Sequence, residues 1–199
     1  MEPVTPDAKH FLAIPWCAAH LNTAGVVHET ATSRFAKPST EDELFAKTLN
    51  TENTIAAFLT FYKRPEPALT KAAVPAADDG VAGNIIREIR CLLTLRSGVN
   101  GYPGVCHGGI VAAILDETLG FLFSVNRDNG LADRDSAYMT AYLNTQYVLP
   151  VQTPQTVLVV VTAKRAEGRK FWIDGRMEDE NGRVLAKVES LFVRLKEKL

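Results

Sequence analysis

Cysteine is scarce in this sequence and gives no sign of a disulfide framework. Only three of the 199 residues are cysteines, Cys17, Cys91 and Cys106, and they are far apart and without a CxxC pairing. This usage excludes a disulfide-rich secreted fold and a zinc knuckle, and it is typical of a reducing compartment. The N-terminus also lacks the apolar core of a secretory signal, and its few basic residues give little support to a transit peptide. We therefore expect a cytoplasmic protein, with a mitochondrial location left open.

An excess of charge of either sign is absent as well. The chain has 22 Lys and Arg residues against 23 Asp and Glu residues, a formal net charge of −1. Wholesale binding to nucleic acid or to an anionic membrane therefore has no electrostatic basis. No apolar run approaches the roughly 18 residues of a transmembrane helix, so we expect no membrane span. With 46% hydrophobic residues, a chain of this length is expected to fold as a soluble globular protein with one principal domain.

The first fifty residues have the character of an extension, and the sequence predicts a domain over residues 51–199. Four prolines interrupt residues 1–50, and a short helix is predicted at 40–49 with Ser39 or Thr40 as its N-cap. A small apolar cluster at 14–17 is expected to pack onto the domain. Residues 55–62 favour a strand, whereas 68–83, rich in Ala, Pro and Asp, favour a surface loop.

From residue 85 onward the pattern predicts a strand, a buried helix and four further strands. Residues 85–96 favour a strand, and the turn-rich segment 97–104 leads to a helix at 110–126 that is apolar almost all round, as a buried helix is. Strands are predicted at 137–148, 156–165, 170–178 and 184–195, joined by tight turns such as Asn181-Gly182. The fold class is α+β, with a largely antiparallel sheet that must wrap around the helix to bury it.

Two carboxylates, Asp116 and Glu117, are the only charged residues within the predicted buried helix. An unpaired buried carboxylate costs several kcal/mol, which favours a function over a packing role. Helical spacing places Asp116 on a face of mostly small residues, a junction where another backbone, such as that of a second subunit, can approach closely. The alternative is that either carboxylate bonds to the backbone of a neighbouring strand, and this interpretation suits Glu117 better than Asp116.

Glycines at the start of the same helix form a second candidate element. In His107-Gly108-Gly109, the absence of Cβ atoms leaves the first-turn N–H groups accessible at the positive end of the helix dipole. Such groups form a natural oxyanion site. The alternative is an ordinary glycine-rich turn. Asp116, nine residues after His107 in the same buried helix, favours the oxyanion site over this alternative.

A polar stripe on the following strand and a basic hairpin complete the candidates. Alternation predicts Thr140 and Asn144 on one face of the strand, where they either position a water near the helix or face solvent. Arg169 and Lys170 belong to a basic cluster at a hairpin tip, which is either solvated surface or a phosphate contact. Other enzyme motifs are missing: the sequence has no GxSxG, GxGxxG or Walker A motif and no metal-ligand spacing of histidines. Cys106, next to His107, is interpreted as a packed thiol rather than a nucleophile.

Taken together, these motifs resemble the hotdog-fold acyl-CoA thioesterases of the PaaI-like group, and most closely the thioesterase-superfamily-member type found in animals. The resemblance covers residues 85–195 and rests on GYPGVCHGG at 101–109, ILDETLG at 114–120, MTAYLN at 139–144 and EGRKF at 167–171. It implies a hotdog sheet curled around one helix, and a homodimer or dimer of dimers whose active sites draw on two subunits. It requires neither metal nor cofactor.

The resemblance also implies roles for individual residues. Asp116 would be the general base or nucleophile, the Gly108 N–H would polarise the thioester carbonyl, His107 would shape the loop, and Thr140 would hold the attacking water. The basic hairpin would contact the CoA phosphates. The substrate-binding candidates are then Gly109, Glu117, Asn144, Arg169 and Lys170, although Glu117 stands where these enzymes often have a small residue. The alternatives are a hydratase or dehydratase on the same fold, pairing His107 with an acidic residue of the partner's helix, and a non-catalytic acyl-CoA-binding module.

Overall fold

A computed structural model describes residues 5–64, 77–83, 85–133 and 135–196. Two short helices, α1 (Pro6–Leu12) and α2 (Pro15–Leu21), precede strand β1 (Val26–Thr30). Turns of 3-10 helix at Thr32–Arg34 and of π-helix at Leu44–Thr48 lead to β2 (Ile55–Lys63) and β3 (Glu88–Leu95). The predicted loop at 68–83 lies largely outside the described residues.

The second half contains the long helix and the remaining strands. After a 3-10 turn at Ser97–Val99 come the short strands β4 (Asn100–Tyr102) and β5 (Val105–Cys106) and the helix α3 (Gly108–Asp128). Four strands follow: β6 (Tyr138–Tyr147), β7 (Gln155–Glu167), β8 (Lys170–Glu178) and β9 (Val184–Arg194). The main sheet has seven strands in the order β1-β2-β3-β7-β8-β9-β6, and neighbouring strands are antiparallel.

The helix α3 packs along the inner face of this sheet and forms the core with it. Ile114, Leu115 and Leu119 are fully buried against the inner-facing side chains of the strands. Because a seven-stranded antiparallel sheet packs on the long central helix α3, the predicted α+β hotdog architecture is confirmed. The absence of a membrane span stays a prediction, since Gly108–Asp128 is long and apolar enough to cross a membrane by length and composition alone. In this structure its apolar residues pack on the sheet.

The described part of the N-terminal segment, residues 5–50, is joined to the sheet. Strand β1 pairs with β2, from Val26 opposite Lys63 to Thr30 opposite Leu59. Helices α1 and α2 cover the outer face of the sheet, where Phe11 and Cys17 are fully buried, so residues near 14–17 pack as expected. The predicted helix at 40–49 is reduced to the π-helical turn Leu44–Thr48. The division at residue 50 stays a prediction, although this segment supplies an edge strand.

Candidate active site

The start of α3 carries one backbone donor that no acceptor uses. His107 caps the helix: its Nδ1 accepts the Gly109 N–H at 2.9 Å, and its carbonyl accepts the N–H groups of Ile110 and Val111. Among the described residues, the Gly108 N–H has no hydrogen-bond acceptor. The helix dipole adds positive potential at this point. Gly108 can therefore donate to an oxyanion, whereas the Gly109 N–H is already engaged.

Two residues for which no site role was predicted, Tyr147 and Gly101, shape this turn. The hydroxyl of Tyr147, at the end of β6, donates to the Gly108 carbonyl oxygen at 3.0 Å. Gly101 allows His107 to approach, because a Cβ at position 101 would lie 2.9 Å from the His107 Cδ2. The glycine at 101 was visible in the sequence, but nothing in the local pattern pairs it with the histidine six residues later.

Asp116 is half-buried on α3 and is held by β6. The Thr140 hydroxyl donates to Asp116 Oδ1 at 2.8 Å, so the two predicted residues do meet. This hydrogen bond fixes the orientation of the Asp116 carboxylate. The Thr140 hydroxyl oxygen remains available to accept a hydrogen bond from water. The structure thus gives Thr140 a positioning contact that the sequence had not predicted.

The prediction that Thr140 and Asn144 lie on one face of the strand is wrong. Thr140 pairs with the buried Phe192, but Tyr142 pairs with Leu191, so Ala141 forms a β-bulge. A bulge inserts one residue and exchanges the faces that follow it. Thr140 therefore faces α3 with Phe192, whereas Asn144 pairs with Glu189 and lies on the outer face of the sheet. Asn144 is thus separated from Asp116 by the sheet itself.

Gly108 and Asp116 are too far apart to act on one carbonyl within one chain. Eight residues separate them on α3, which at about 1.5 Å per residue is roughly 12 Å along the axis. A water activated by a general base must lie within hydrogen-bonding reach of that base and next to the polarised carbonyl. One chain therefore supplies the two groups to two different places along α3.

Glu117 lies on another side of α3 from Asp116 and is covered by the N-terminal segment. Burial raises the pKa of Glu117 to about 7. The charges of Asp42 and Asp116 add to this shift, whereas Lys37 and the Ser33 hydroxyl oppose it. The Ser33 oxygen is buried and its geometry falls short of a full hydrogen bond. The charge of Glu117 therefore changes near neutral pH.

We expect Glu117→Gln to remove a pH-dependent loss of stability. A carboxyl whose pKa is raised in the folded state binds more protons folded than unfolded, so the free energy of unfolding falls as the pH rises between about 4.5 and 7. From pH 5 to pH 8 this carboxyl contributes a loss of about 2 kcal/mol, so the Gln variant should lose about 2 kcal/mol less than the native protein over this range. Urea unfolding at both pH values measures it. The exposed control Glu52→Gln should keep the native dependence, and an equal slope in all three proteins would contradict the assignment.

The basic hairpin between β7 and β8 lies near the start of β6. Within the described residues, Arg169 and Lys170 form no ion pair, and Arg169 Nη1 donates to the Arg194 carbonyl at 3.0 Å. Lys170 pairs with Val193, next to the Arg194 that pairs with Tyr138. The two exposed cations are thus near the end of β6 that holds Tyr138 and Thr140, away from Gly108.

The thiol of Cys106 is not suited to nucleophilic attack. It is buried and donates to the His107 carbonyl at 3.7 Å. Burial raises its pKa to about 11, so the thiolate is scarce at neutral pH. The packed-thiol interpretation agrees with this environment.

Two curated proteins each match about half of this chain. A rat acyl-coenzyme A thioesterase (Rattus norvegicus) is 29% identical over 110 residues, which are 55% of this chain and 44% of the rat protein. An uncharacterized protein of Schizosaccharomyces pombe is 31% identical over 101 residues, covering 49% of this chain and 54% of the yeast protein. The chain thus spans about half the length of the curated relatives it matches.

Solved structures and a family model complete the comparison. A hypothetical thioesterase from Streptococcus pneumoniae with coenzyme A is 12% identical, with a TM-score of 0.48 over 57% of this chain and 82% of that one. A Bacillus halodurans protein with CoA is 27% identical, with a TM-score of 0.46 over 55% and 68%. The thioesterase superfamily model matches residues 103–186. This match agrees with the resemblance predicted from the motifs, and the matched segment contains α3 and the strands β6, β7 and β8.

Proposed function

We propose that this protein hydrolyses acyl-CoA thioesters to a free acid and CoA, as a homodimer with composite sites. The observation that carries the proposal is the free Gly108 N–H at the start of the same helix that presents Asp116, hydrogen-bonded to Thr140. A thioester is an activated acyl compound, so a polarised carbonyl and a positioned water suffice for its hydrolysis. The superfamily match over 103–186 includes all three residues.

An unpaired edge of the sheet supports the homodimer. Strand β6 has β9 on one side and no strand on the other within the described residues. Large apolar side chains are exposed on β6 and just after it: Met139, Tyr142, Tyr147, Val148 and Leu149. Exposed apolar patches on an open strand edge mark a pairing surface. Association there would bring Asp116 of one protomer to the Gly108 turn of the other.

In this dimer the reaction proceeds with two groups. The carbonyl oxygen accepts the Gly108 N–H from one chain, and the negative charge that develops there is stabilised by the helix dipole. Asp116 of the other chain takes a proton from water while the water oxygen bonds to the carbonyl carbon. When the tetrahedral intermediate collapses, the C–S bond breaks and the thiolate recovers the proton from Asp116. Arg169 and Lys170 are suited to the CoA phosphates by charge.

Two assays separate this function from its alternatives. Release of free thiol from saturated acyl-CoAs is expected, and it is read with a thiol-specific chromophore. A hydratase would instead consume the absorbance of an enoyl-CoA without releasing thiol. A binding module would retain acyl-CoA, by equilibrium binding, with neither reaction, and either of these results would overturn the proposal.

Thr140→Ala is expected to lower kcat about tenfold. A hydrogen bond to a charged group contributes about 1.5–3 kcal/mol, part of which here orients Asp116. Thr140→Ser keeps the hydroxyl and should retain most of the native rate. Steady-state kinetics on one acyl-CoA measure both variants, and equal losses in the two would show that the methyl group matters rather than the hydrogen bond.

A further inference from the structure

A small cavity of about 80 Å³ lies near the C-terminal half of α3, remote from the Gly108 turn. The polar side chains beside it are engaged elsewhere. The Asn126 amide donates to the carbonyls of Ile86 and Leu122, and its oxygen accepts the Ile86 N–H. The Arg165 guanidinium lies 4.8 Å from the Trp172 ring centroid and pairs with Glu167. The cavity therefore offers a ligand mainly apolar surface, supplied by Leu122, Phe123, Tyr138, Ala163, Phe171 and Ile173.

This cavity lies between α3 and β6, on the same helix face and strand face as Asp116 and Thr140. Phe123 follows Asp116 by seven residues on one helix face, and Tyr138 precedes Thr140 by two residues on one strand face. The rings of Phe123 and Tyr138 are stacked with centroids 3.9 Å apart. They form a wall between the Asp116–Thr140 pair and the cavity.

The stretch of helix between the catalytic pair and this wall is open. Gly120 lies one turn beyond Asp116, and a Cβ added there would meet no atom within 4 Å. A chain lying over Gly120 would therefore run from the carboxylate to the aromatic wall without displacing a side chain on the way. Because Phe123 and Tyr138 also line the cavity, displacement of either ring would connect it to this open stretch.

We infer that the cavity receives the end of a straight saturated acyl chain, and that the preferred substrates carry about ten carbons. This inference rests on the proposed function. Asp116 and Phe123 are separated by roughly 10 Å along the axis, and an extended hydrocarbon built from bonds of about 1.5 Å needs about eight carbons to cover it. A cavity needs roughly 10–15 Å³ to hold one water-sized group, so a volume of about 80 Å³ has room for at least two further methylene groups.

The test is a chain-length profile of kcat/KM with butyryl-, octanoyl-, decanoyl- and myristoyl-CoA. In the native protein kcat/KM should rise to decanoyl-CoA and then level off or fall. Ala163→Leu fills the cavity, and it should lower the ratio of decanoyl to butyryl kcat/KM about tenfold or more, because each buried methylene contributes a factor of about four. The exposed control Ala19→Leu should keep the native ratio.

A second variant moves the profile in the opposite direction. Phe123→Leu removes one ring of the wall, so the ratio of myristoyl to decanoyl kcat/KM should rise severalfold. This readout stands even where Ala163→Leu fails to fold. Unchanged ratios in folded forms of both variants would overturn the inference while leaving thioester hydrolysis intact. Failure of the native protein to hydrolyse any acyl-CoA would overturn the proposed function itself.

Discussion

Asp116→Asn is expected to lower kcat for acyl-CoA hydrolysis about 100-fold or more. General-base catalysis contributes factors of about 10² to 10⁴, and a neutral amide cannot take the proton from water. The amide oxygen still accepts the Thr140 hydroxyl bond seen at 2.8 Å in the native structure, so the fold and substrate binding should be preserved. Rates of thiol release, with KM measured alongside, separate a chemical defect from a binding defect.

The matched control for this variant is Glu117→Gln, which changes the neighbouring carboxyl to its amide. The two side chains face different surroundings, one beside Thr140 and one beneath the segment holding Ser33 and Lys37. If Glu117→Gln abolished turnover while Asp116→Asn retained the native rate, the base would be Glu117 and the assignment of Asp116 would be wrong.

Gly108→Pro is expected to lower kcat by about 100-fold, because proline has no N–H to donate to the oxyanion. The substitution suits the backbone at this position. Proline is favoured in the first helical position, and His107, with φ −62° and ψ 133°, has the extended conformation required before a proline. Gly108→Ala is the control, since it keeps the N–H and its Cβ makes ordinary contacts with Tyr147 at 3.5 Å. Equal rates in the Pro and Ala variants would exclude Gly108 as the donor.

Mixing the two inactive variants tests whether each site uses two chains. In a heterodimer of Asp116→Asn and Gly108→Pro protomers, one site combines both substitutions and the other has native Gly108 and native Asp116. Random reassociation should therefore restore about a quarter of the native specific activity, given a two-fold dimer. If the mixture stayed as inactive as its components, a composite site would be ruled out.

Much of the fold follows from local patterns in the sequence. The strand predicted at 170–178 coincides with β8, and the helix predicted at 110–126 lies within the observed Gly108–Asp128. Alternation and tight turns determine hairpins locally, and an all-apolar helix has to be surrounded by the sheet. The apolar pattern that predicts this helix also places His107 just before its start and Asp116 within it.

What could not be predicted depends on contacts remote in sequence. The bulge at Ala141 is set by the register of β6 against β9, and it sends Asn144 to the outer face. Strand β1 forms only because β2 offers it an edge. The environment of Glu117 depends on Ser33 and Asp42, which are more than seventy residues away in the chain. Local sequence patterns contain no information about these remote contacts.

The length of α3 between its first turn and its carboxylate has a consequence for how the activity would be controlled. Under the proposed mechanism a lone protomer would hold both groups without directing them at the same bond, so it would be inactive rather than merely slow. Dilution, or a partner protein that occupies the free edge of β6, would then switch the protein off without touching any reacting atom.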